Sequence, residues 1–412
     1  MARKMKDSGI EWIGDIPERW EIKYFVQLFS QVKNKNIGLR EKNLLSLSYG
    51  KIKQKSIETV GGLLPDNFEG YNIIDSNDIV LRLTDLQNDQ HSLRVGLSHE
   101  RGIITSAYCS IRVRGAESPN YLYYYLHTFD IAKGFYGMGS GVRQGLNWDG
   151  LKSIKILLPP QHEQDRISVF LNQKTLEIDS MLSKTISSIE EYKKLKQAVI
   201  TQAVTKGVRG KRNMKNSEVP WIGEIPAEWD IIKSSRIIKT TQNGLSRRDL
   251  EKSEGQIILK LKNITSDGKI DYSFLNRIAL SQNELNTYAL TTGDFLFVRV
   301  NGSKSLVGKC AIFEAISEIV AYNDHIIRVK LSNQCYNRFF LWYLYSCCGK
   351  AEIDLHTSTA AGQYTISGDG LRDITLVFPP IDEQKEIADY LDAKCAEIDK
   401  LIAKKEQLVK EL

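Results

Sequence analysis

A chain of 412 residues that is 42% hydrophobic and 26% charged is long enough for two or three folded domains and has the make-up of a soluble globular protein. A net charge of +6 and a pI near 8.7 permit nucleic-acid binding without demonstrating it. The six cysteines (Cys109, Cys310, Cys335, Cys347, Cys348 and Cys395) form no CxxC pair and no zinc-like spacing, so they read as the reduced thiols of a cytoplasmic protein. No window approaches ~18 consecutive apolar residues, and no apolar run follows the polar start Met1–Asp7, so neither a membrane span nor a signal peptide is expected.

The first stretch, Asp7 to Trp20 (DSGIEWIGDIPERW), returns 209 residues later as Asn216 to Trp229 (NSEVPWIGEIPAEW). Trp12, Gly14, Pro17 and Trp20 recur as Trp221, Gly223, Pro226 and Trp229. This predicts an irregular, aromatic-anchored lead-in that packs on the body following it.

From Glu21 to Leu158, short β-branched runs such as 72–75, 78–82 and 110–114 are separated by Gly, Asn and Asp, and read as strands. Tyr121 to Leu126 (YLYYYL) is helical in character, and its counterpart is Phe339 to Leu344 (FFLWYL), 218 residues on. Both copies end on Leu and keep bulky apolar groups, which favours a buried helix over a platform for stacking bases. Gly134 to Gly150 is a glycine-rich, mobile recognition loop, with Leu151 to Leu158 expected as the strand after it. Gly137, Gly139 and Gly141 do not make a phosphate cradle, which requires a helix at that point.

Pro159-Pro160-Gln161-His162-Glu163-Gln164 opens a run that contains Ile167, Leu171, Ile178 and Leu182. Pro379-Pro380-Ile381-Asp382-Glu383-Gln384 opens another, with Ile387, Leu391, Ile398 and Ile402, each 220 residues further on. These apolar positions share one side of an α-helix. Glu163 to Thr205 spans 43 residues without Pro or Gly, about 65 Å of helix at ~1.5 Å per residue. Its single apolar stripe requires a partner helix, and the second copy is the natural one. Lys206 to Lys215 carries five basic residues and no acid, and reads equally as a phosphate-gripping segment or a solvated linker. The second body repeats the first with different side chains: Asp294–Arg299 matches Asp78–Arg82, and the segment His356–Thr365 leads into an expected strand from Leu371 to Phe378.

Catalytic constellations are missing from this inventory. No methyltransferase motif, Walker A sequence, HExxH or nuclease-like carboxylate cluster stands out, and the histidines (91, 99, 127, 162, 325 and 356) are scattered singly. Asp324-His325 near Cys310 is the nearest approach to a nucleophile relay. The sequence therefore assigns no catalytic residue and no metal ligand, and favours binding over catalysis.

Two variable bodies, each introduced by Trp-Ile-Gly-x-Ile-Pro-x-x-Trp and closed by Pro-Pro-x-x-Glu-Gln-x-x-Ile plus a long helix, resemble the specificity subunit of type I restriction–modification systems. The resemblance covers essentially the whole chain. It implies an α+β protein of two similar α/β target recognition domains, 1–158 and 216–378, joined by long antiparallel helices, 159–206 and 379–412, with a basic linker at 207–215 and a pseudo-two-fold internal repeat. Each body would read one half of a bipartite site in double-stranded DNA. Ile167, Leu171, Ile178, Leu182, Ile387, Leu391, Ile398 and Ile402 would form the spacer and the docking face for two methyltransferase subunits, joined by restriction/translocase subunits. S-adenosylmethionine, ATP and Mg would belong to those partners, with no cofactor in this chain.

Arg pairs bidentately with guanine, and Asn or Gln with adenine. By position beside the shared frame, Arg82, Thr84, Arg143, Gln144, Arg299, Asn301, Lys304, Gln363 and Tyr364 are the candidate DNA-contacting residues. Two rival readings are a protein-binding coiled-coil scaffold without DNA specificity and a specificity module of a fused-type restriction–modification enzyme. Aligned at the 220-residue offset, Leu412 falls opposite Tyr192. This predicts that Lys193–Thr205, with Leu195 and Val199, lacks its full partner within the chain and makes a homodimer through the helices an option.

Overall fold

The computed structural model describes residues 3–56, 67–86, 93–139, 145–247, 254–360 and 362–412. Arg143, Gln144, Gly141, His91 and Ala361 lie outside the described residues. The chain divides into two compact units, Met1–Ser180 and Met181–Leu412.

The lead-in of the first unit is more regular than its sequence suggests. Met5–Asp7 pairs antiparallel with Asp15–Pro17, and Gly14 at φ +73 allows the return. Trp12 lies against Tyr125 and Phe129, with ring centroids 6.0 and 5.9 Å away. Glu21–Tyr24 then pairs with Lys155–Leu158, which joins the start of the body to its end.

The body is built on a four-stranded antiparallel sheet of β1 (Phe29–Gln31), β2 (Ile79–Leu81), β3 (Val95–Leu97) and β4 (Cys109–Val113), in the order β1-β4-β2-β3. All three residues of β2 are buried because both faces of the sheet are covered: Ile79 and Leu81 join one apolar cluster, and Val80 joins another with Leu45, Ile74 and Ile104. That is why the run reads as continuously apolar rather than alternating. Helix α1 (Pro119–Ile131) starts with Pro at its first position, and the Ser118 side chain accepts from Tyr121 N–H. Its tyrosines are core: Tyr121 and Tyr125 donate their hydroxyls to the carbonyls of Leu157 and Lys155.

Leu151 belongs to the one-turn helix Trp148–Leu151, and the strand starts only at Lys155. Leu371 likewise ends up in the short helix Gly368–Arg372, ahead of the strand Thr375–Phe378. Asn147 and Ser367 cap these turns by accepting from Gly150 N–H and Gly370 N–H. The expected strands 151–158 and 371–378 are therefore corrected to a capped turn followed by a strand. A helical turn does follow the first glycine-rich stretch, although it is only four residues long.

Helix α2 (Gln161–Lys206) runs for 46 residues and ends at Gly207, φ +77, whose N–H caps Ala203. In the second unit a sheet of the same order recurs: β5 (Ile238–Asn243), β6 (Phe295–Val298), β7 (Cys310–Ile312) and β8 (Ile326–Leu331), arranged β5-β8-β6-β7 and antiparallel throughout. It is followed by α3 (Asn337–Tyr345) and the closing helix α4 (Ile381–Glu411).

Within the second unit α4 runs antiparallel to the last part of α2. Lys196 Nζ reaches Asp399 at 2.7 Å, Lys405 lies over the Tyr192 ring at 5.7 Å, and Arg209, just past α2, pairs with Glu386 at 2.7 Å. Ile200, Ala203 and Val204 share a core cluster with Ile387, Leu391, Cys395 and Ile398. The expectation that Lys193–Thr205 lacks its full partner within the chain is corrected: antiparallel packing places that tail against the beginning of α4, not against residues at the 220-residue offset. The two copies of the apolar stripe consequently differ. Ile387 and Leu391 are fully buried and Ile398 is 2% exposed, whereas Ile178 is 43% exposed and Ile167, Leu171, Leu182 and Ile402 are half-buried.

Candidate nucleic-acid interface

The two repeated motifs meet in space. In the first unit, Trp20 Nε1 donates to Glu163 Oε2 at 3.0 Å while Arg3 grips the same carboxylate at 3.1 Å. In the second, Trp229 Nε1 donates to Glu383 Oε2 at 3.1 Å and Arg212 pairs with it at 2.9 Å. The glutamines beside these acids are buried and equally matched. Gln164 accepts from Ser118 N–H and donates to Pro159 O, and Gln384 accepts from Tyr336 N–H and donates to Pro379 O. The doubled sequence is thus a doubled clasp that fixes each long helix to its own body. Arg209 and Arg212 of the basic linker are engaged with Glu383, Glu386 and Glu228. Of the two readings of that segment, phosphate gripping loses these two cations.

Each clasp supports a frame with an edge at the end of its central strand. In the second unit β6 continues through Arg299 into Val300–Asn301, which pairs with Gln363–Thr365; Ser358–Ala360 adds a third strand. Asn301 stands opposite Tyr364 in this small sheet, and its Oδ1 accepts from Ser303 N–H. Gln363 is exposed, Tyr364 packs against the body's core, and exposed Lys304 lies 3.9 Å from Asp354. Arg299 is half-buried, with Nη1 donating to the Asp324 carbonyl at 2.9 Å. Five of the sequence candidates are therefore brought to one edge, with Arg299 bracing it from within.

The first unit uses the same connection. Leu146 N–H donates to Leu83 O, just as Ile366 N–H donates to Arg299 O. Thr84 is exposed beside this joint and Arg82 is half-buried.

Sequence reasoning missed a cleft of about 430 Å³ beside the second edge, lined by Arg247, Lys260, Asn276, Arg277, Asp324 and His325 among others. Arg247 and Arg277 are paired with Glu284 and Glu318, so the wall is polar with much of its charge matched. Isolated basic residues in different strands and loops give no local signal of such convergence. A larger groove of about 1080 Å³ between the helices and the body in the second unit is lined by none of the candidate reading residues. Cys310 is buried in β7, where burial pushes its thiol up and disfavours the thiolate that a nucleophile relay needs, while the His325 ring is 3.7 Å from Asp324. Among the described residues no helix is long and apolar enough to cross a membrane.

Residues 239–411 match the family model of the type I restriction modification DNA specificity domain. The EcoKI specificity subunit of Escherichia coli K12 is 27% identical over 60% of this chain and 53% of that protein. The StySPI specificity subunit of Salmonella potsdam is 28% identical over 68% of this chain and 59% of its own length, so the chain spans little more than half of these two relatives. The MjaVIII specificity subunit of Methanocaldococcus jannaschii is 24% identical over 96% of this chain and 90% of that protein. Among solved structures, one described as the structural basis of complex assembly and conformational transition of the type I R-M system superimposes with a TM-score of 0.69 at 15% identity, covering 96% of this chain and 95% of that one. The HsdS subunit from Thermoanaerobacter tengcongensis gives 0.55 at 16% identity over 95% and 92%. With its doubled body, doubled clasp and paired helices, the chain is similar in sequence to type I restriction enzyme specificity subunits, and its residues 239–411 match the model of their DNA specificity domain.

Proposed function

We propose that this chain is the DNA-recognition subunit of a type I restriction–modification complex, in which each body reads one half of a bipartite site. The observation that carries the reading is the pairing of a constant frame with unlike edges. Both units repeat the sheet order, the clasp and the edge connection, while Thr84 stands at one edge and Asn301, Gln363 and Tyr364 at the other. A frame that is kept while its edge side chains change suits a reader of base edges, where one well-placed bidentate contact discriminates by about 1–3 kcal/mol. Lys304 contributes sequence-independent attraction to phosphate. The long helices set the distance between the half-sites and dock two methyltransferase subunits, with restriction/translocase subunits joining them.

The chain itself is non-catalytic in this reading. Adenine methylation with S-adenosylmethionine and ATP- and Mg-dependent cleavage belong to the partners, and the complex works in the cytoplasm. The test is selection of a randomised duplex library by the chain purified with its methyltransferase. A bipartite consensus with a constant gap is expected. A correctly assembled complex that enriches no consensus would reject the reading in favour of a protein-binding scaffold.

A further inference from the structure

The first edge is held differently from the second. In the second unit the chain beyond β6 is fixed by strand pairing, Val300 with Thr365 and Asn301 with Tyr364. Among the described residues of the first unit, a buried cation holds the backbone at the corresponding place, beside the bond from Leu146 N–H to Leu83 O. Arg94 is 0% exposed. Its Nη1 donates to the carbonyls of Arg82 at 3.2 Å and Thr84 at 2.7 Å, and its Nη2 to that of Asp85 at 3.0 Å. Its main chain is held as well: Arg82 N–H donates to Arg94 O, and Arg94 N–H donates to Asp130 Oδ2 at 2.7 Å. The guanidinium carbon lies 5.4 Å from the centre of the Tyr136 ring.

The segment so gripped carries Arg82 and Thr84, two of the candidate reading residues of this body. Leu83 and Leu86 point into the core, Thr84 is exposed between them, and Asp85 is left-handed at φ +53. Two apolar anchors and three tethered carbonyls leave Thr84 little freedom of direction. The second body has Lys309 in the place of Arg94, as shown by the matching bond from Val298 N–H to Lys309 O. Lys309 is half-exposed, and its edge relies on the added strands instead.

Resting on the specificity reading above, we propose that Arg94 is a positioning residue for DNA recognition: it shapes residues 82–86 so that the first body discriminates bases in its half-site. Only a planar fork of donors can serve three carbonyls from two nitrogens. A lysine ammonium presents its donors from a single point and cannot span them.

The test uses the full chain with its methyltransferase, carrying Arg94→Lys or Arg94→Met, and library selection resolved by half-site. Discrimination in the first half should fall about tenfold, the value of one good base contact. The second half-site and subunit association should stay as in the unaltered complex. Hydrogen exchange should accelerate at the amides of residues 83–86 while α1 remains protected. Arg94→Lys keeps the stem and the charge and is the arbiter where Arg94→Met fails to fold. Unchanged first-half preference, equal losses in both halves, or general loss of protection in the first unit with Arg94→Lys would each overturn the proposal. If the unaltered complex itself shows no bipartite preference, the specificity reading falls, and this inference falls with it.

Discussion

Trp229 donates its indole N–H to Glu383 at 3.1 Å, and Trp20 donates to Glu163 at 3.0 Å, so the same bond joins the same two motifs in both units. The pairs differ in exposure. Glu383 and Arg212 are 6% and 14% exposed, whereas Glu163 and Arg3 are 16% and 63% exposed. Glu383→Ala leaves the buried indole donor without its acceptor and Arg212 with Glu228 as its remaining carboxylate, and should cost about 2–3 kcal/mol. Glu163→Ala removes a more solvated clasp and should cost about 1 kcal/mol. Chemical denaturation of both variants checks the order; equal losses would contradict the asymmetry.

The first clasp also predicts a pH dependence. The Trp20 indole first, and Arg3 beside it, hold the Glu163 carboxyl below its ordinary 4.5. A lowered carboxylate adds stability above the unfolded-state value and loses it as pH falls through the folded value. The stability difference between the unaltered chain and Glu163→Gln should be full at about pH 7 and shrink as the pH falls through the lowered carboxyl value of the folded state. An undiminished difference in acid would show that the charge has no part in it.

Linker and edge cations should separate in a salt titration of DNA binding. Arg209→Ala and Arg212→Ala break ion pairs within the second unit. They should lower thermal stability and leave the slope of affinity against salt unchanged. Lys304→Gln should reduce that slope by about one. A shallower slope for the Arg209 variant would return the linker to the list of phosphate contacts.

The helix stripe yields another contrast. Ile398 is 2% exposed and Ile178, its counterpart, is 43% exposed. Ile398→Ala should cost about 3 kcal/mol, and Ile178→Ala under about 1 kcal/mol. Urea denaturation of the isolated chain decides between this and a uniform stripe.

Much of the frame was legible in the sequence because repeats mark it. Trp20, Glu163 and Gln164 stood out by returning as Trp229, Glu383 and Gln384, although nothing local said that the indole and the carboxylate touch. The strand at 79–81 was legible as a continuous apolar run. The segments at 151–158 and 371–378 were misread because a capped single turn and a strand share the same apolar pattern over four residues, and only Asn147 and Ser367 mark the difference. The helix tail was misassigned because an offset between copies gives equivalence, while antiparallel packing reverses the partners. Arg94 left one faint trace: a lone cation between Leu93 and Val95, just ahead of the core residues Val95 and Leu97.

The central claim is tested most directly by mapping adenine methylation by long-read sequencing in cells that carry this chain with its methyltransferase, before and after residues 216–378 are exchanged for another recognition body. The account predicts a bipartite methylated motif whose first half and gap persist while the second half changes. An unchanged motif after the exchange, or no motif from an assembled complex with an active methyltransferase, would contradict it.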